Sequence, residues 1–441
     1  MSGDPANDAA LMEVIYAHGW SNSPEYMTKR EAEKVEDIGT VFMNNAKITD
    51  FTAFKYFTGL TEVPSNAFIK NIKLSKIEFP VTVKKINSGA FGYTYSLNIN
   101  IPDNITTIVR DSYVSNRGSI ITIGSGLSQM PARSLPSDSA TMITVSENNP
   151  VFDSRDNCNA VIETETNSLV LGCVNTVIPE SVTSIINDAF ISCQTLKTLT
   201  IPKGVTKLGN TGFEFFGCNN LKKIIYKGSL LDWFNINIAS SHSHPLCKRS
   251  DVEMLIDGEN IIGEHLSIPD GVVSIKKYVF PEMPDIKSIS IPSTVRTIDR
   301  LSFYANSLTK ITVSENNPVF DSRDNCNAVI ETSSNRLVYG CSGSTIPSTV
   351  KTISYDAFRY SSAPNTIIIP PSIKELLDNV FINSNITSVI INNSDVVSIK
   401  SSSFNKTLNV YVPDESVEAY KAADVWNTMA DRIKPLSDYT G

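Results

Sequence analysis

Apolar and polar positions recur along this chain in a pattern that links each of several prolines to three later positions. The proline is followed three residues later by Val or Ile, six residues later by Ile or Leu, and eleven residues later by an aromatic residue. The eight pairs of proline and aromatic residue are Pro80/Phe91, Pro102/Tyr113, Pro179/Phe190, Pro202/Phe213, Pro269/Phe280, Pro292/Phe303, Pro347/Phe358 and Pro370/Phe381. Within neighbouring pairs the prolines lie 22 or 23 residues apart. An internal repeat of this length indicates stacked coils rather than a globular fold.

The residues before each proline have the pattern of a half-buried strand. In Leu196–Pro202 and Ile286–Pro292, apolar and polar positions alternate before the proline, which is the period of a strand with one face in the core. Proline ends the strand because it has no N–H to donate to the ladder. A single coil buries too few side chains to offset the ordering of its backbone, so coils are stable only when stacked. The pattern therefore predicts a leucine-rich-repeat solenoid that is mainly β, with a curved parallel sheet and short irregular or 3-10 segments on its outer side.

A segment of 22 residues occurs twice without change, at Ile143–Thr164 and at Ile311–Thr332. The shift of 168 residues continues without gaps through the next proline and aromatic residue, so the chain carries two equivalent modules. In each copy, AVIET, a polar turn and SLVLGC or RLVYGC predict a β-hairpin that interrupts the stack. We place the hairpin insertions at about residues 146–175 and 314–343, and a further protruding loop with a strand at about 228–262.

Small helices are predicted at both ends, where a stack of coils needs its open faces covered. Thr28–Glu31 has the form of a capping box, which predicts a helix through about Val41. Its apolar face would consist of Val35, Ile38, Val41 and Phe42. Ser416 is expected to cap a second helix. That helix has Val417, Tyr420 and Ala423 on one side and is followed by Trp426 and Ile433, which would cover the last strand. The predicted division is an N-terminal cap at 1–50, a solenoid at 51–405 and a C-terminal cap at 406–441.

The charge distribution argues against a nucleic-acid partner, and the short apolar runs argue against a membrane span. The chain has 38 basic and 46 acidic residues, a net charge of -8 and a pI of about 5.2, with the two signs scattered. It therefore lacks the basic footprint that grips a phosphate backbone. No apolar run approaches the roughly 20 residues that a membrane span needs, and residues 1–10 do not contain the hydrophobic core of a signal peptide.

Seven cysteines cannot form a complete set of disulfides. Cys158 and Cys173 flank the first predicted hairpin, fifteen residues apart, and Cys326 and Cys341 flank its copy at the same separation. A cross-strand disulfide and a pair of small buried thiols both fit these positions. At least one further thiol stays free or pairs outside the chain.

The sequence predicts no catalytic, cofactor-binding or metal-binding residues and no enzyme activity. The chain has four histidines, and no phosphate-binding or nucleophile motif follows a strand. His242 and His244 would bind a metal only if both lay on one strand face, and no Cys or carboxylate stands at matching spacing. The two DSRDN loops, which begin at Asp153 and Asp321, lack the ligand spacing of a calcium loop and fit turn capping. The tryptophans, for which sugar stacking and burial both remain open, are Trp20, Trp233 and Trp426.

Three motif classes carry a family resemblance: the repeat unit IP-x-x-V-x-x-I-x-x-x-AF, the hairpin NPVFDSRDNCNAVIET and the terminal segment YVPDESVEAYKAADVW. From about Glu31 to the C-terminus, the chain resembles the BspA-like leucine-rich repeat proteins of Bacteroides and related bacteria. The resemblance implies an extracellular or cell-surface bacterial protein. Some of these relatives are described as adhesins that bind host matrix proteins such as fibronectin or fibrinogen.

Two functions follow as hypotheses. The first is an adhesin-like binding protein without enzyme activity, whose concave sheet engages a host extracellular matrix protein or a glycan. The outward strand residues that would make the contact are Lys76, Glu78, Thr198, Thr200, Ser288 and Ser290. The second is a structural spacer or scaffold with no specific ligand. The small polar character of these strand residues suits the spacer, because binding hot spots are usually built from clustered aromatic residues and arginine.

Overall fold

The computed structural model describes residues 3–210, 212–247, 249, 251–261, 263–279, 286–303, 307–359, 366–404 and 407–440. Its contacts divide the chain into two compact units. Unit 1 comprises Met1–Lys227 and Ala239–Pro245, and unit 2 comprises Gly228–Ile238 and Leu246–Gly441. Each unit is a stack of short β-coils, and the fold is the predicted parallel β-solenoid of the leucine-rich-repeat type, with hairpin insertions and small helices at the ends.

In unit 1, one side of each coil is a strand of up to four residues, here called a long strand. Its residues alternate between core and solvent, as in Thr198–Ile201, where Leu199 and Ile201 are buried and the two threonines are exposed. The long strands pair in parallel with those of neighbouring coils. They are Asp50–Phe51, Lys76–Ile77, Ile99–Ile101, Ile120–Ile123, Met142–Val145, Thr198–Ile201 and Lys223–Tyr226.

A second side of each coil in unit 1 is a two-residue strand, here called a short strand. It follows the repeat proline in every case except Glu62–Val63, which precedes Pro64. Its second residue is a repeat anchor, such as Ile86 or Leu208, and is fully buried. Short strands also pair in parallel from coil to coil. They are Glu62–Val63, Lys85–Ile86, Thr107–Ile108, Ser184–Ile185 and Lys207–Leu208.

Unit 2 repeats this arrangement with its own parallel ladders. The long strands in these ladders are His265–Ser267, Ser288–Ile291, Lys310–Val313, Thr366–Ile369, Ser388–Ile391, Asn409–Val412 and Ile433–Pro435. The short strands in them are Ser274–Ile275, Thr297–Ile298, Thr352–Ile353, Glu375–Leu376 and Ser398–Ile399. Unit 2 also contains the strands Asn237–Ile238 and Glu253–Ile256.

The third side of each coil is a turn whose aromatic residue enters the core, as the repeat predicts. Rings of successive coils stack on one another: Phe68 and Phe91 have centroids 5.2 Å apart, and Phe91 and Tyr113 have centroids 5.0 Å apart. The predicted core aromatics that are buried are Phe91, Tyr113, Phe190, Phe303, Phe358 and Phe381. Phe280 lies outside the described residues.

Phe213 breaks the pattern, and its predicted burial is wrong. Its side chain is 45% exposed, whereas Phe215 is buried and stacks on Phe190 with ring centroids 5.8 Å apart. The preceding turn contains Gly209 and Gly212, which have φ values of 92° and 97°, a backbone conformation that glycine adopts without steric cost. The longer turn moves the core position from eleven to thirteen residues after the proline.

Both predicted hairpins form, and their outer arms pair antiparallel with a third, two-residue strand. The inner arm of each hairpin then continues the ladder of short strands in parallel. Gly172 and Gly340 lie so close to the rings of Phe190 and Phe358 that an added Cβ would come within 2.4 and 2.2 Å of ring carbons. The hairpin strands are Phe152–Asp153, Ala160–Glu163 and Ser168–Gly172 in unit 1, and Phe320–Asp321, Ala328–Glu331 and Arg336–Gly340 in unit 2.

The acidic residues of the DSRDN loops hold these hairpins together. Arg155 donates to both carboxylate oxygens of Asp153, at 2.8 and 2.5 Å, and to Asn167 Oδ1 at 2.7 Å. Partial burial acts to raise the pKa of Asp153, but the hydrogen bonds from Arg155 and Thr164 outweigh it and lower that pKa below its ordinary value. The same contacts recur in unit 2 around Arg323. The loop is therefore a structural clamp in both copies.

A buried asparagine begins each hairpin insertion. Asn317 donates through Nδ2 to the carbonyls of Pro292 and Val295, at 2.8 and 3.1 Å. Its Oδ1 accepts from the N–H groups of Val319 and Phe320, both at 2.9 Å. Asn149 makes the equivalent four bonds in unit 1. One side chain thus satisfies four backbone groups where the regular ladder stops.

The N-terminal region differs from the prediction in two ways. The Thr28–Glu31 capping box is present, but its helix is only Lys29–Ala32, so the predicted extension to Val41 is wrong. A longer helix, Pro5–Ala17, begins after Asp4, whose side chain accepts from Ala6 N. Sequence reasoning missed it, although an N-cap acid followed by proline at the first helical position is a start signal. Among the described residues, no helix is long and apolar enough to cross a membrane.

At the C-terminus, the helix Val417–Ala422 is present, but Ser416 does not cap it with its side chain. Ser416 Oγ instead donates to the carbonyl of Ser394. Trp426 is buried and donates through its indole N–H to the carbonyl of Val397 at 2.7 Å. Ile433–Pro435 pairs in parallel with Asn409–Val412. Asn409–Val412, the strand of the LNVYVP segment, is thus covered, as expected. The domain limits at residues 50 and 405 stay a prediction.

The insertion at 228–262 contains more structure than the predicted loop and strand. Ser229 and Asp232 form a capping box for the helix Leu230–Phe234, which sequence reasoning missed. Glu253–Ile256 pairs antiparallel with Glu259–Asn260. The 3-10 segments lie in turns and at the C-terminal end: Thr52–Tyr56, Arg155–Asn157, Ser241–Ser243, Arg323–Asn325, Asp414–Ser416, Trp426–Arg432 and Leu436–Asp438.

None of the seven cysteines forms a disulfide, and six of them are buried, so the alternative of buried thiols describes the hairpin pairs. Burial raises the pKa of Cys158 to about 11 and that of Cys193 to about 12. We therefore expect a thiol reagent at about pH 8 to modify the half-buried Cys247 in the native protein and to reach the others only after denaturation. Mass spectrometry of trapped peptides checks this. Rapid native labelling of Cys158 would contradict it.

The same pKa values give a direction for alkaline stability. An unfolded thiol ionises near pH 9.0, whereas folded Cys158 stays protonated to about 11. Because the pKa is raised in the folded state, the contribution of this thiol to stability is complete below the unfolded pKa and is lost as the pH rises from about 9 through 11.

Candidate functional site

The long strands of unit 2 align a set of polar side chains in two rows. In the parallel register, His265, Ser288 and Lys310 stand side by side, and Ser267, Ser290 and Thr312 form the next row. Each position follows its neighbour by 23 or 22 residues, one coil of the repeat. The intervening Ile289 and Ile311 are buried and fix the strands. Alternation therefore places six polar side chains on one face, here called the unit 2 face.

Hydrogen bonds connect the side chains of this face. His265 contacts Ser288 Oγ through Nδ1 at 2.7 Å and Ser267 Oγ through Nε2 at 3.1 Å. Ser290 Oγ donates to Ser267 Oγ at 3.1 Å. Sequence reasoning predicted Ser288 and Ser290 as outward residues but missed His265 and Lys310. The repeat spacing would have predicted both residues, because positions that lie 22 or 23 residues apart occupy the same row of the sheet.

A groove of about 660 Å³ opens beside the last strand of this face. One wall is Lys310–Val313, and the opposite wall is the loop of the second hairpin, which contributes Ser322, Asn325 and Asn327. Lys310 stands at the start of the strand wall and Glu315 just beyond its end, and both are exposed. The groove thus combines two amides, several hydroxyls and one charge of each sign. This arrangement can hydrogen-bond a polar ligand.

The other predicted contact residues lie in unit 1 and are not brought together with each other. Lys76 and Glu78 are exposed at one ladder, where Glu78 forms an ion pair with Lys55 at 2.8 Å. They line a cleft of about 240 Å³ whose other wall includes Asn98 and Asn100. Thr198 and Thr200 are exposed on a different ladder. The six predicted residues therefore form three separate pairs.

Exposed aromatic residues occur away from the long strands of unit 1. Phe213 and Phe216, which are 45% and 52% exposed, contact each other edge to face with centroids 5.8 Å apart. His242 completes the cluster at 5.7 Å from Phe213. Trp233 and Trp426 are buried, which removes them as sugar-stacking residues. His244 is fully buried, whereas the ring of His242 lies against Phe213, and the described residues contain no group of three potential metal ligands.

The repeat geometry defines a leucine-rich-repeat protein. The chain belongs to the family described as BspA type Leucine rich repeat region, whose pattern matches six copies over residues 32–158, 170–238, 259–329 and 330–422. Membership confirms the resemblance read from the repeat, the hairpin and the C-terminal segment. It indicates a binding or scaffold role.

Solved structures to which the chain is similar include bacterial repeat proteins. A leucine-rich repeat protein from Bacteroides ovatus is 20% identical, with 87% of this chain and 83% of that chain covered and a TM-score of 0.33. A leucine rich cell surface protein from Faecalibacterium prausnitzii is 20% identical, with 78% and 83% covered and a TM-score of 0.33. The pneumococcal vaccine antigen PcpA is 13% identical, with 86% and 65% covered and a TM-score of 0.28. A comparison with curated proteins gave no match.

Proposed function

We propose that this protein is a non-enzymatic, adhesin-like binding protein of the bacterial cell surface or exterior, which engages a host matrix protein or glycan through its solenoid surface. The observation that supports it most is the unit 2 face of six aligned polar side chains. Two of them, Lys310 and Thr312, also line the adjoining groove of about 660 Å³. Family membership supports a binding or scaffold role. The cell-surface description of the Faecalibacterium prausnitzii protein supports the location.

The unit 2 face is the better candidate of the predicted surfaces. Its side chains span three adjacent strands in register, whereas the predicted pairs in unit 1 lie on separate ladders. Ion pairs such as Lys55 with Glu78 are solvent-exposed, and exposed pairs contribute little to binding or stability. Ser288 and Ser290 therefore remain the leading contact residues of the original six. Lys76, Glu78, Thr198 and Thr200 are secondary candidates.

The full chain should bind at least one member of a panel of matrix glycoproteins and mucin glycans saturably at physiological salt. Ser290→Trp places a bulky ring in the middle of the unit 2 face and should weaken binding by about tenfold or more. Thr200→Trp, an outward position on a unit 1 strand, is the matched control and should change affinity by less than about twofold. Surface plasmon resonance measures both.

The reverse result, with Thr200→Trp disruptive and Ser290→Trp silent, would move the site to unit 1. A panel that stays silent with the folded wild-type chain would reject the binding role and leave the spacer. The hydrogen bonds that His265 makes to Ser288 and Ser267 fit the spacer as well, because they satisfy polar side chains within the protein.

A further inference from the structure

Each hairpin interrupts a ladder of long strands and leaves its last strand at an edge. In the described part of the chain, Met142–Val145 ends one ladder of unit 1 and Lys310–Val313 ends one ladder of unit 2. Lys310 N and Ser314 N donate to the preceding coil, to the carbonyls of Lys287 and Ile291 at 3.0 and 2.9 Å. Backbone groups alternate in direction along a strand. The N–H groups of Ile311 and Val313 therefore point away from the ladder and into the groove.

The equivalent donors in unit 1 are capped by side chains of the hairpin. Ile143 N donates to Asn159 Oδ1 at 3.4 Å, and Val145 N donates to Ser154 Oγ at 3.0 Å. Such caps close an edge that would otherwise pair with another chain. The unit 1 edge is thus satisfied from within the protein.

The edge in unit 2 has the same sequence but a different arrangement. Ser322 Oγ donates to the carbonyl of Ile311 at 3.2 Å, whereas the equivalent Ser154 Oγ of unit 1 accepts from Val145 N. Within the described residues, no hydrogen bond reaches the N–H of Ile311 or of Val313. Both donors face the groove of about 660 Å³. Both donors of this edge are capped in unit 1, whereas both are uncapped beside a groove in unit 2, where Ser322 bonds the carbonyl of Ile311 between them.

Open donors two residues apart at a sheet edge match the carbonyl spacing of an extended peptide, about 6.6 Å. Peptides that add to a sheet gain affinity from these main-chain bonds and specificity from side-chain contacts. The groove lining has no aromatic ring on which a sugar would stack. Lys310 and Glu315 lie at opposite ends of the strand wall. A peptide running parallel to the strand is complementary if it has an acidic residue at its start and a basic residue at its end.

We propose that the unit 2 groove binds an extended peptide segment of a protein partner, which adds as a further parallel strand alongside Lys310–Val313. The proposal rests on the proposed binding function and specifies the class of partner. The peptide carbonyls accept from the N–H groups of Ile311 and Val313. Its charged ends pair with Lys310 and Glu315, and Asn325 and Asn327 line its other side.

The probe is a fluorescent hexapeptide of sequence Glu-Thr-Val-Thr-Val-Lys with blocked ends, titrated against the full chain by fluorescence anisotropy. The probe should bind saturably, and the same peptide with its charged ends exchanged should bind about tenfold more weakly. Thr312→Trp fills the groove and should weaken binding by about tenfold or more. Thr144→Trp, the same position in the capped copy, is the matched control and should have less than about a twofold effect.

Two further measurements test the main-chain bonds. Val313→Pro removes one edge donor that the ladder does not use, and proline is tolerated on edge strands. This substitution should weaken binding of the probe by about tenfold. An unchanged circular dichroism spectrum would show that the variant is folded. Saturating probe should also slow hydrogen exchange at Ile311 and Val313 but not at Ile143 and Val145.

No saturable binding at millimolar probe, an unchanged affinity in Thr312→Trp, or saturation without protection of Ile311 and Val313 would overturn strand addition. If the chain still binds the matrix glycoproteins or glycans of the earlier panel, the binding function stands and only the peptide mode is rejected. If a glycan from that panel protects Ile311 and Val313 and the probe does not, the groove is a glycan site. Silence in both experiments rejects the binding function itself.

Discussion

Replacing Phe215 with Ala is expected to lower the free energy of unfolding by about 3–5 kcal/mol, the usual cost of removing a buried phenylalanine ring. Phe215 is 1% exposed and stacks on Phe190 at 5.8 Å. The loss of the ring leaves a cavity between two coils, and each coil depends on its neighbour for burial. Urea unfolding followed by circular dichroism measures the effect.

Phe213→Ala is the matched control, because the two phenylalanines are two residues apart and differ in burial. Phe213 is 45% exposed, and its loss should cost less than about 0.5 kcal/mol, as at most surface positions. Equal destabilisation by the two substitutions, or a larger effect at Phe213, would mean that the regular spacing from Pro202 holds in this coil. The shifted register described here would then be wrong.

Asn317→Leu is expected to lower the free energy of unfolding by about 3–5 kcal/mol, because leucine fills a similar volume but leaves backbone groups without partners. The side chain of Asn317 accepts from two N–H groups and donates to two carbonyls. Each buried polar group left unpaired costs free energy of the order of 1–3 kcal/mol. We expect water to reach some of the four backbone groups, so the total loss of stability is smaller than the sum of four unpaired groups. Urea unfolding measures this change too.

The neighbouring Asn316 offers a control of the same residue type, because it is exposed. Asn316→Leu should change stability by less than about 0.5 kcal/mol. Asn149→Leu should reproduce the loss in unit 1, since Asn149 makes the equivalent bonds. If Asn317→Leu were as mild as Asn316→Leu, the four bonds would contribute nothing net at the hairpin start.

The fold was predictable because a coil fixes its buried positions by distance from one proline. Val205 and Leu208 are buried where the spacing predicts, since the segment from the proline to the end of the short strand has a constant length. Phe213 was not predictable from spacing alone. Its turn gains length through Gly209 and Gly212, and two glycines in one turn were the available signal. The helix Pro5–Ala17 was missed because the repeat does not extend to it.

The candidate site was predictable only in part. Alternation along one strand shows that Ser288 and Ser290 face outward. Predicting their neighbours His265 and Lys310 requires the register between coils. The spacing of 22 and 23 residues gives that register, whereas the pattern within one strand does not. The groove depends on where the hairpin loop returns in space. The orientation of Ser322, which separates the open edge from the capped one, depends on side-chain rotation and has no signature in a sequence that is identical in both copies.

Because Ile143–Thr164 and Ile311–Thr332 are identical, the order in which the chain is synthesised affects which hairpin pairs with which coil. Each hairpin docks by the same contact, a glycine against the phenylalanine ring of the following coil, so the arm of one module meets a similar surface in the other. A fully denatured chain therefore starts with two competing ways to pair its modules, a known failure of repeat proteins. A chain that emerges from the ribosome N-terminus first completes the first pairing before the second module exists. Tyr339, which replaces Leu171 of the first copy and donates to the carbonyl of Phe303 at 2.7 Å, then favours the native partner for the second.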